Sequence, residues 1–321
     1  MKLLGRLAQA VLTVWVAATL SFIGLKLIPG DPVDARFGPL AKISEEQKQQ
    51  IREELGLELP VWQQYLNTMA DFLRGDFGYS YQQSAPVTQV IGEQLPATLQ
   101  LGTAAVLWMV LFVTLGQLIK RAKAPFAGGR VRGWIIEAAQ LIAVSVPVYW
   151  FGFTLLIVFA YTLGWFPATP NHGLASLVLP GLALGIPLAG LLGRVVDGEL
   201  DAAEHTAFAL SSRARGMGRG QFAIRHGLRH TLPPAAALST TLIGGVFGGA
   251  VLIEHTFARQ GIGKVALAAI VHRDLPIVIA LVVFSAVVFA VLGLVTDLVV
   301  RWADPRPTQH DSDTASTGGR A

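Results

Sequence analysis

The sequence has 321 residues, of which 52% are apolar and only 14% are charged, and its mean hydropathy is +0.52. Soluble domains carry about a quarter charged residues, so this composition excludes an ordinary soluble protein and favours a chain that crosses a membrane several times. The absence of cysteine excludes disulfides, cysteine-ligated zinc and thiol chemistry. The pI of about 9.5 is better explained by Lys and Arg collected on the cytoplasmic side of a membrane than by nucleic-acid binding.

The first apolar run, from Leu7 to Ile28, follows Lys2 and Arg6 and predicts an uncleaved membrane span. A cleaved signal peptide would have a shorter apolar region, roughly 7–15 residues, followed by a small-residue cleavage site. This run instead continues to a Pro-Gly-Asp-Pro sequence at 29–32, and Lys26 near its end can reach the membrane interface. We therefore assign residues 1–28 to the N-terminus and the first span.

Residues 29–98 form the long polar region between spans and predict a small helical subdomain outside the cytoplasm. The Ser-Glu-Glu-Gln sequence at 44–47 is a capping-box pattern that predicts the start of a charged helix. Pro60 fits the first turn of a second helix, from Val61 to Leu73, which Gly75 would end. Two interpretations stay open: the subdomain packs against the outer ends of the spans, or it docks an extracytoplasmic partner.

Five more apolar stretches complete a prediction of six membrane-spanning helices in an all-α protein. The third span holds Pro147 and is long enough to tilt or kink there. The fourth is interrupted by Pro and Gly, which membrane helices tolerate where neighbouring helices satisfy the freed backbone groups. These stretches run from Leu99 to Leu118, Trp134 to Tyr161, Leu174 to Val195, Ala235 to Ile253, and Ile277 to Val300.

The distribution of positive charge predicts the orientation of the chain. Most of the 25 Lys and Arg residues lie in the N-terminus, the loops at 120–133 and 194–231, and the tail. Because Lys and Arg collect on the cytoplasmic side, both termini are expected in the cytoplasm. The membrane core then covers 99–303, and the polar tail, 304–321, is expected to be disordered.

Two patterns that suggest a bound ligand are better explained without one. The Gly-Ile-Gly-Lys sequence at 261–264 lacks the earlier Gly and the following Ser or Thr that a phosphate-binding loop requires. His226 and His230 would share a helix face like metal ligands, but each follows an Arg that would repel a cation. We therefore expect no metal, nucleotide or cofactor in this chain.

Ionisable residues inside the spans are few. Asp297 and Arg301 lie one turn apart in the last span, and this spacing predicts a structural ion pair. No span carries the repeated acids or histidines expected of a proton-coupled carrier, and no nucleophile and base lie at matched depth. A self-sufficient secondary carrier remains the alternative to a subunit that is driven from outside, and an intramembrane enzyme is disfavoured.

The stretch at 203–234 is the most informative part of the chain, because it is basic, punctuated by Gly and bounded by apolar segments. It has no acid after Glu204, so it belongs in water on the cytoplasmic side. The hypothesis is that a separate motor protein binds the membrane part here. Its arginines are Arg213, Arg215, Arg219, Arg225 and Arg229.

Short motifs occur in a fixed order along the whole chain. They are Pro29-Gly30-Asp31-Pro32, Leu55-Gly56-Leu57, Pro60, Gln64-Tyr65, Gly75-Asp76-Phe77-Gly78, Ser80, Pro86-Val87, Pro96-Ala97-Thr98-Leu99, Arg213-Ala214-Arg215-Gly216, Arg225-His226-Gly227-Leu228-Arg229-His230, Leu232-Pro233-Pro234, Glu254, Phe257, Gly261-Ile262-Gly263, Arg273-Asp274-Leu275-Pro276, Asp297 and Asp304-Pro305-Arg306. In this order and spacing the chain resembles the permease subunits of bacterial ATP-binding-cassette importers, in the dipeptide, oligopeptide and nickel group.

The resemblance implies a type I importer permease fold of six spans and assigns roles to two groups of residues. The cytoplasmic loop 196–233 would couple to the ATPase, with Gly216 turning the chain between two short helices. The group expected to contact the ATPase is Ser212, Arg213, Ala214, Arg215, Gly216, Arg219 and Arg225. The group expected at the outer gate or the binding-protein contact is Glu254, Gly261, Gly263 and Asp274.

The resemblance also implies partners and a location. The chain would be a non-catalytic subunit in the bacterial cytoplasmic membrane, working with a second permease, two ATPase subunits that bind ATP and Mg, and an extracytoplasmic solute-binding protein. The solute would be a small peptide or a related molecule such as a nickel chelate, and the short outer turn at 164–171 is closer to nickel-type members. The chain departs from the family where an acidic-aromatic pair is usual and Ala207-Phe208 stands here.

Overall fold

The computed structural model describes residues 2–27, 44–54, 57–80, 82–122, 126–170, 173–272 and 274–303. The described chain is helical and contains no strand, only an isolated bridge between Tyr79 and Pro86. Its helices are α1 (Lys2–Leu27), α2 (Glu45–Glu54), α3 (Val61–Leu73), α4 (Val87–Arg121), α5 (Phe126–Ser145), α6 (Val148–Leu155), α7 (Ala175–Glu204), α8 (Ala207–Ala214), α9 (Arg219–Phe222), α10 (Leu228–Thr256), α11 (Ile262–Val271) and α12 (Leu275–Ala303). Two π-helical turns, Leu156–Thr162 and Ala223–Gly227, extend α6 and join α9 to α10.

Helix α7 is the centre of the bundle and contacts α4, α5, α6 and α10. Its Leu179 and Ala183 are buried with Leu101 of α4 and Val246 of α10. Small residues allow the close crossings: a Cβ at Gly185 would lie 2.7 Å from the carbonyl oxygen of Ala105. Because the neighbours pack this tightly, the helix runs unbroken through Pro180 and Pro187, where the sequence predicted interruptions.

Four of the described helices are long and apolar enough to span a membrane: α4, α7, most of α10 and most of α12. The predicted third span has its kink at Pro147, where α5 and α6 meet at a bend of 106°. Counted as one broken span, this pair makes five. The apolar part of α1, Ala8–Gly24, is shorter than the other spans, although the helix itself has 26 residues.

The predicted helical region before α4 is present where the structure describes it. Ser44 and Gln47 form the reciprocal capping box, with the Gln47 amide donating to Ser44 Oγ at 3.2 Å and the Ser44 amide donating to Gln47 Oε1 at 3.3 Å. α3 has the predicted bounds, and Gly75 after it has φ of +79°. Helix α4 begins at Val87, inside the range predicted as subdomain.

Several sequence predictions fall outside the described residues. They are the motif at 29–32, Leu55 and Gly56, Arg273, and the tail 304–321. The predicted ion pair of Asp297 and Arg301 also lies outside them, because neither side chain is described although both backbones belong to α12.

Candidate functional site

The loop that the sequence singled out forms two short helices between α7 and α10. Thr206 starts α8, because its hydroxyl accepts a hydrogen bond from the Ala209 amide at 3.3 Å. Gly216 follows α8 with φ of +83°, a left-handed conformation that favours glycine. The predicted helix–Gly–helix arrangement is therefore present in the backbone. We call residues 205–227 the coupling segment.

The coupling segment is held from within by a small apolar core. Ala203, Ala209 and Phe222 are buried together. The ring of His226 lies edge-on to Phe208, with ring centroids 4.8 Å apart. This packing places His226 within the aromatic cluster of the segment.

The outer surface of the coupling segment is apolar and basic. Phe208, Leu210 and Ile224 are exposed by 53%, 63% and 62%, and Arg215 and Arg225 are also exposed. Such a surface suits a protein partner, because large apolar side chains are left without cover inside the chain. Where the family usually has an acidic residue followed by an aromatic one, this chain has Ala207 followed by Phe208. The acidic side chain is therefore absent, but the aromatic side chain is present and exposed.

Of the residues predicted to contact the ATPase, some are buried within the coupling segment and others are exposed on its surface. Ser212 is buried, and its hydroxyl donates to the Phe208 carbonyl at 3.0 Å, so it supports α8 from within. Ala214, Arg215 and Gly216 are exposed. The side chains of Arg213 and Arg219 lie outside the described part of the chain.

A network of ion pairs with a buried centre lies next to the coupling segment, at residues for which the sequence predicted no site. Arg121, at the end of α4, is only 6% exposed and lies 3.4 Å from Asp197, 3.3 Å from Asp201 and 3.7 Å from Glu204 of α7. Lys120 lies 3.4 Å from Asp197 and 2.8 Å from Glu137 of α5.

Asp197 is the centre of this network because its two oxygens also accept neutral hydrogen bonds. Gln117 donates to Oδ1 at 3.0 Å and Gln140 donates to Oδ2 at 3.1 Å. The carboxylate is thus shared by helices α4, α5 and α7. Charged residues within membrane spans are candidates for a functional role. Asp197 and Glu204 were not predicted in this way, because they lie past Val195, the predicted end of their span.

At the other end of α10, Glu254 organises the turn into α11. It is fully buried and accepts hydrogen bonds from the Thr98 hydroxyl at 2.6 Å and the Lys264 amide at 3.2 Å. Thr98 in turn accepts from the Ile262 amide at 2.8 Å. Since Thr98 belongs to α4, one carboxylate joins α4, α10 and α11.

Gly261 and Gly263, which were predicted together with Glu254, lie where a larger side chain would collide with its neighbours. Gly261 has an extended backbone, φ 160° and ψ 172°, yet a Cβ on it would overlap the Glu254 carboxyl group. A Cβ on Gly263 would lie 2.8 Å from the Val251 backbone nitrogen. The structure therefore brings Glu254, Gly261 and Gly263 together.

Arg259, for which the sequence predicted no role, is buried on the same turn. Its guanidinium donates to the carbonyl and the hydroxyl of Ser176 at 3.3 and 3.2 Å. Burial lowers the pKa of Arg259, and the nearby Glu254 carboxyl opposes that shift. An Arg keeps its proton at neutral pH, so this residue adds a buried positive charge to the junction of α7 and α10.

Asp274, the fourth residue of the predicted outer group, forms a separate cluster. Its carboxylate accepts hydrogen bonds from the Ser80 hydroxyl at 2.5 Å and the Gln82 amide at 3.2 Å. Ser80 and Asp274 are both buried. The segment before α4 is therefore fastened to the corner between α11 and α12, across 194 residues of sequence.

Two family models cover most of the chain. "Binding-protein-dependent transport system inner membrane component" matches residues 122–309, and its N-terminal counterpart, "Binding-prot-dependent transport system membrane comp, N-term", matches 1–102.

Curated relatives match over nearly their whole length. A putative peptide transport system permease protein of Brucella suis is 31% identical over 95% of this chain and 98% of its own. The dipeptide transport system permease protein DppB of Lactococcus lactis is 30% identical with the same coverage. Among solved structures, a chain of the inward facing MetNI methionine ABC transporter aligns with a TM-score of 0.48 and 15% identity over 68% of this chain and 96% of that chain. The family models and the curated relatives place this chain in the family of binding-protein-dependent transport system inner membrane components.

Proposed function

We propose that this chain is one of two permease subunits of an ATP-driven importer for small peptides, and that its coupling segment receives the ATPase. The non-catalytic role follows from the family, whose members are transport permeases. The ATPase pair would bind ATP and Mg, a second permease would complete the path through the membrane, and a binding protein would deliver the solute from outside. Both termini would lie in the cytoplasm.

The observation that carries this proposal is the exposed apolar and basic surface of the coupling segment. Phe208 and Leu210 are exposed on α8, and Arg215, directly after its last residue, is exposed too. An apolar patch rimmed by charge is typical of a surface that another protein covers. The short helices pack against a buried core that includes Ala203 of α7, so a force applied to them would pass to that membrane helix.

Two features connect the coupling segment to the spans. Only His205 and Thr206 separate α7 from α8. Glu204, the last residue of α7, pairs with the buried Arg121 of α4. A displacement of α8 would therefore move α7 and α4 together, and these helices pack closely along their length.

A peptide substrate is supported by the relatives. The Brucella suis, Lactococcus lactis and Bacillus subtilis proteins are named as permeases for peptides, dipeptides and oligopeptides. The chain matches each of them at 30–31% identity over 89–95% of its length. The solute-binding protein is expected to choose among peptides, because it holds the solute before this chain does.

Two glycines in the coupling segment give a matched test. Gly216 requires φ of +83°, whereas Gly218 does not have a positive φ, and neither has an atom within 4 Å of an added Cβ. Gly216→Ala is expected to strain the turn by about 1–2 kcal/mol and to reduce ATP-dependent dipeptide uptake, and Gly218→Ala is expected to retain it. Both are measured in vesicles with the ATPase, the partner permease and the binding protein.

Two results would contradict the proposal. Unchanged uptake by Gly216→Ala and by Arg215→Glu, with both proteins present in the vesicles, would remove the coupling role. Uptake by this chain alone, driven by an ion gradient without ATP, would favour the secondary carrier.

A further inference from the structure

Helix α3 has three distinct faces, and the first packs against the membrane helices. Its Met69 is buried with Ala18 and Phe22 of α1 and with Val283 of α12. Tyr65 hydrogen-bonds to Thr19 of α1 through the two hydroxyl groups at 2.9 Å. This face fixes the helix to the junction of α1 and α12.

The other two faces of α3 are exposed and differ in chemistry. Trp62, Leu66 and Leu73 are exposed by 62%, 54% and 81%. At 100° per residue these three lie within about 40° of one another. The exposed polar residues lie on a different side of the helix and span about 60°; they are Asn67, Asp71 and Arg74, and the last two form an ion pair at 3.9 Å.

The depth of the packing face indicates what surrounds the apolar side. Val283 lies eight residues after Leu275, where the candidate span of α12 begins, which is about 12 Å along the helix axis. The hydrocarbon core of a bilayer is about 30 Å thick. The contact with Met69 is therefore expected below the membrane surface.

Lipid fits the apolar face better than a soluble protein does. A solute-binding protein stays in water and does not reach side chains at this depth. Helix α1, against which α3 packs, also exposes apolar residues, Leu20 and Ile23. Trp62 adds an aromatic ring of the kind that collects at membrane interfaces.

We propose that α3 is an interfacial anchor whose Trp62, Leu66 and Leu73 side chains insert among the lipids of one leaflet, while its polar face meets water. Of the two interpretations that the sequence left open for this region, packing against the spans and docking of a partner, the contacts of Met69 and Tyr65 fit the first. The proposal rests on the membrane insertion of α1 and α12 and holds for either direction of transport.

The cysteine-free sequence allows a direct test. Single cysteines are placed at 62, 66 and 73 on the apolar face, and at 67, 71 and 74 on the polar face as matched controls. Each is spin-labelled in the complete transporter, with the partner subunits' cysteines replaced, in vesicles of phosphatidylethanolamine and phosphatidylglycerol. Collision with oxygen, which partitions into lipid, is compared with collision with a water-soluble nickel chelate by electron paramagnetic resonance.

The expected result is a several-fold higher ratio of oxygen to nickel accessibility at the apolar sites than at the polar sites. Nickel accessibility at all six sites would overturn the proposal, because the face would then be open to water. Protection of 62, 66 and 73 from both reagents would also overturn it, since protein would cover the face. Dipeptide uptake by the same vesicles tests the permease function separately.

Discussion

At the residue scale, the glycines of the turn between α10 and α11, around Glu254, have little space for a side chain. Gly263 has backbone atoms of Val251 against it, including the amide nitrogen at 2.8 Å from an added Cβ. Backbone cannot rotate away as the end of a side chain can. The turn around Glu254 therefore has no room for a methyl group at this position.

Gly263→Ala is expected to destabilise the protein by about 1–3 kcal/mol through overpacking. Gly92→Ala is the matched control, because Gly92 lies in a helix with no atom within 4 Å of an added Cβ. The measurement is thermal denaturation in detergent, followed by the loss of the monodisperse chromatographic peak. Equal melting temperatures for the two variants would show that the contact relaxes without cost.

The hydrogen bond between Ser80 and Asp274 makes a second residue-scale prediction. A hydrogen bond to a charged acceptor contributes about 1.5–3 kcal/mol, so Ser80→Ala and Asp274→Ala are expected to be non-additive by a similar amount. The double-mutant cycle is measured by thermal denaturation of the four proteins. Strict additivity would mean that the contact contributes no coupling, even though both side chains are buried.

The sequence predicted the outer residues as a group but not their partners. The resemblance grouped Glu254, Gly261, Gly263 and Asp274. The first three meet in space, whereas Asp274 contacts Ser80 and Gln82 in a separate cluster. Thr98 and Ser80 lay in other motifs more than 150 residues away. Spacing along one segment reports local geometry, whereas a single sequence carries no signal for which distant hydroxyl fills a buried acceptor.

At the element scale, the sequence was sufficient to predict that the long helices exist, but not how sharply the chain bends between them. The apolar stretches around α4, α7, α10 and α12 were long enough to be recognised by composition alone. Pro147 predicted a kink, but the structure bends by 106° there. A proline removes one hydrogen bond and permits a bend, while the size of the bend depends on what the following helix packs against.

The ionic network between α4, α5 and α7 gives an element-scale prediction. The Asp197 side chain is 9% exposed and Asp201, one turn later on the same helix, is 55% exposed, and both contact Arg121. Asp197→Ala is expected to cost about 1–3 kcal/mol, because Gln117 and Gln140 lose the acceptor of their hydrogen bonds while Arg121 and Lys120 keep other carboxylates. Asp201→Ala is expected to cost about 1 kcal/mol or less, since exposed ion pairs contribute little.

Thermal denaturation of the two aspartate variants, together with uptake in vesicles, checks this prediction. If the network also transmits motion from the coupling segment, Asp197→Ala is expected to uncouple ATP hydrolysis from uptake in the protein that remains folded. A larger loss of stability for Asp201→Ala than for Asp197→Ala would contradict the order that burial predicts.

At the scale of the whole molecule, the bundle is organised by one central helix whose small residues admit its neighbours. Where α7 crosses α4, Gly185 faces both the backbone oxygen of Ala105 and the Cβ of Trp108, each 2.7 Å from an added Cβ. Close contact through small residues is how membrane helices associate, because lipid is as apolar as the helix surface and leaves packing as the main driving force.

Gly185 and Gly198 lie on the same helix and differ in surroundings, so they test whether this crossing sets the stability of the bundle. Gly185→Ala must separate α7 from α4 and is expected to destabilise the protein by about 1–3 kcal/mol. Gly198 has no atom within 4 Å of an added Cβ, and Gly198→Ala is expected to stabilise the helix by about 0.5–1 kcal/mol. Both substitutions add one methyl group and raise the helix propensity by the same amount. A lower melting temperature for Gly185→Ala and a higher one for Gly198→Ala would therefore show the effect of the close contact with α4 alone. Parallel shifts would show that helix propensity, and not the crossing with α4, governs the stability of this bundle.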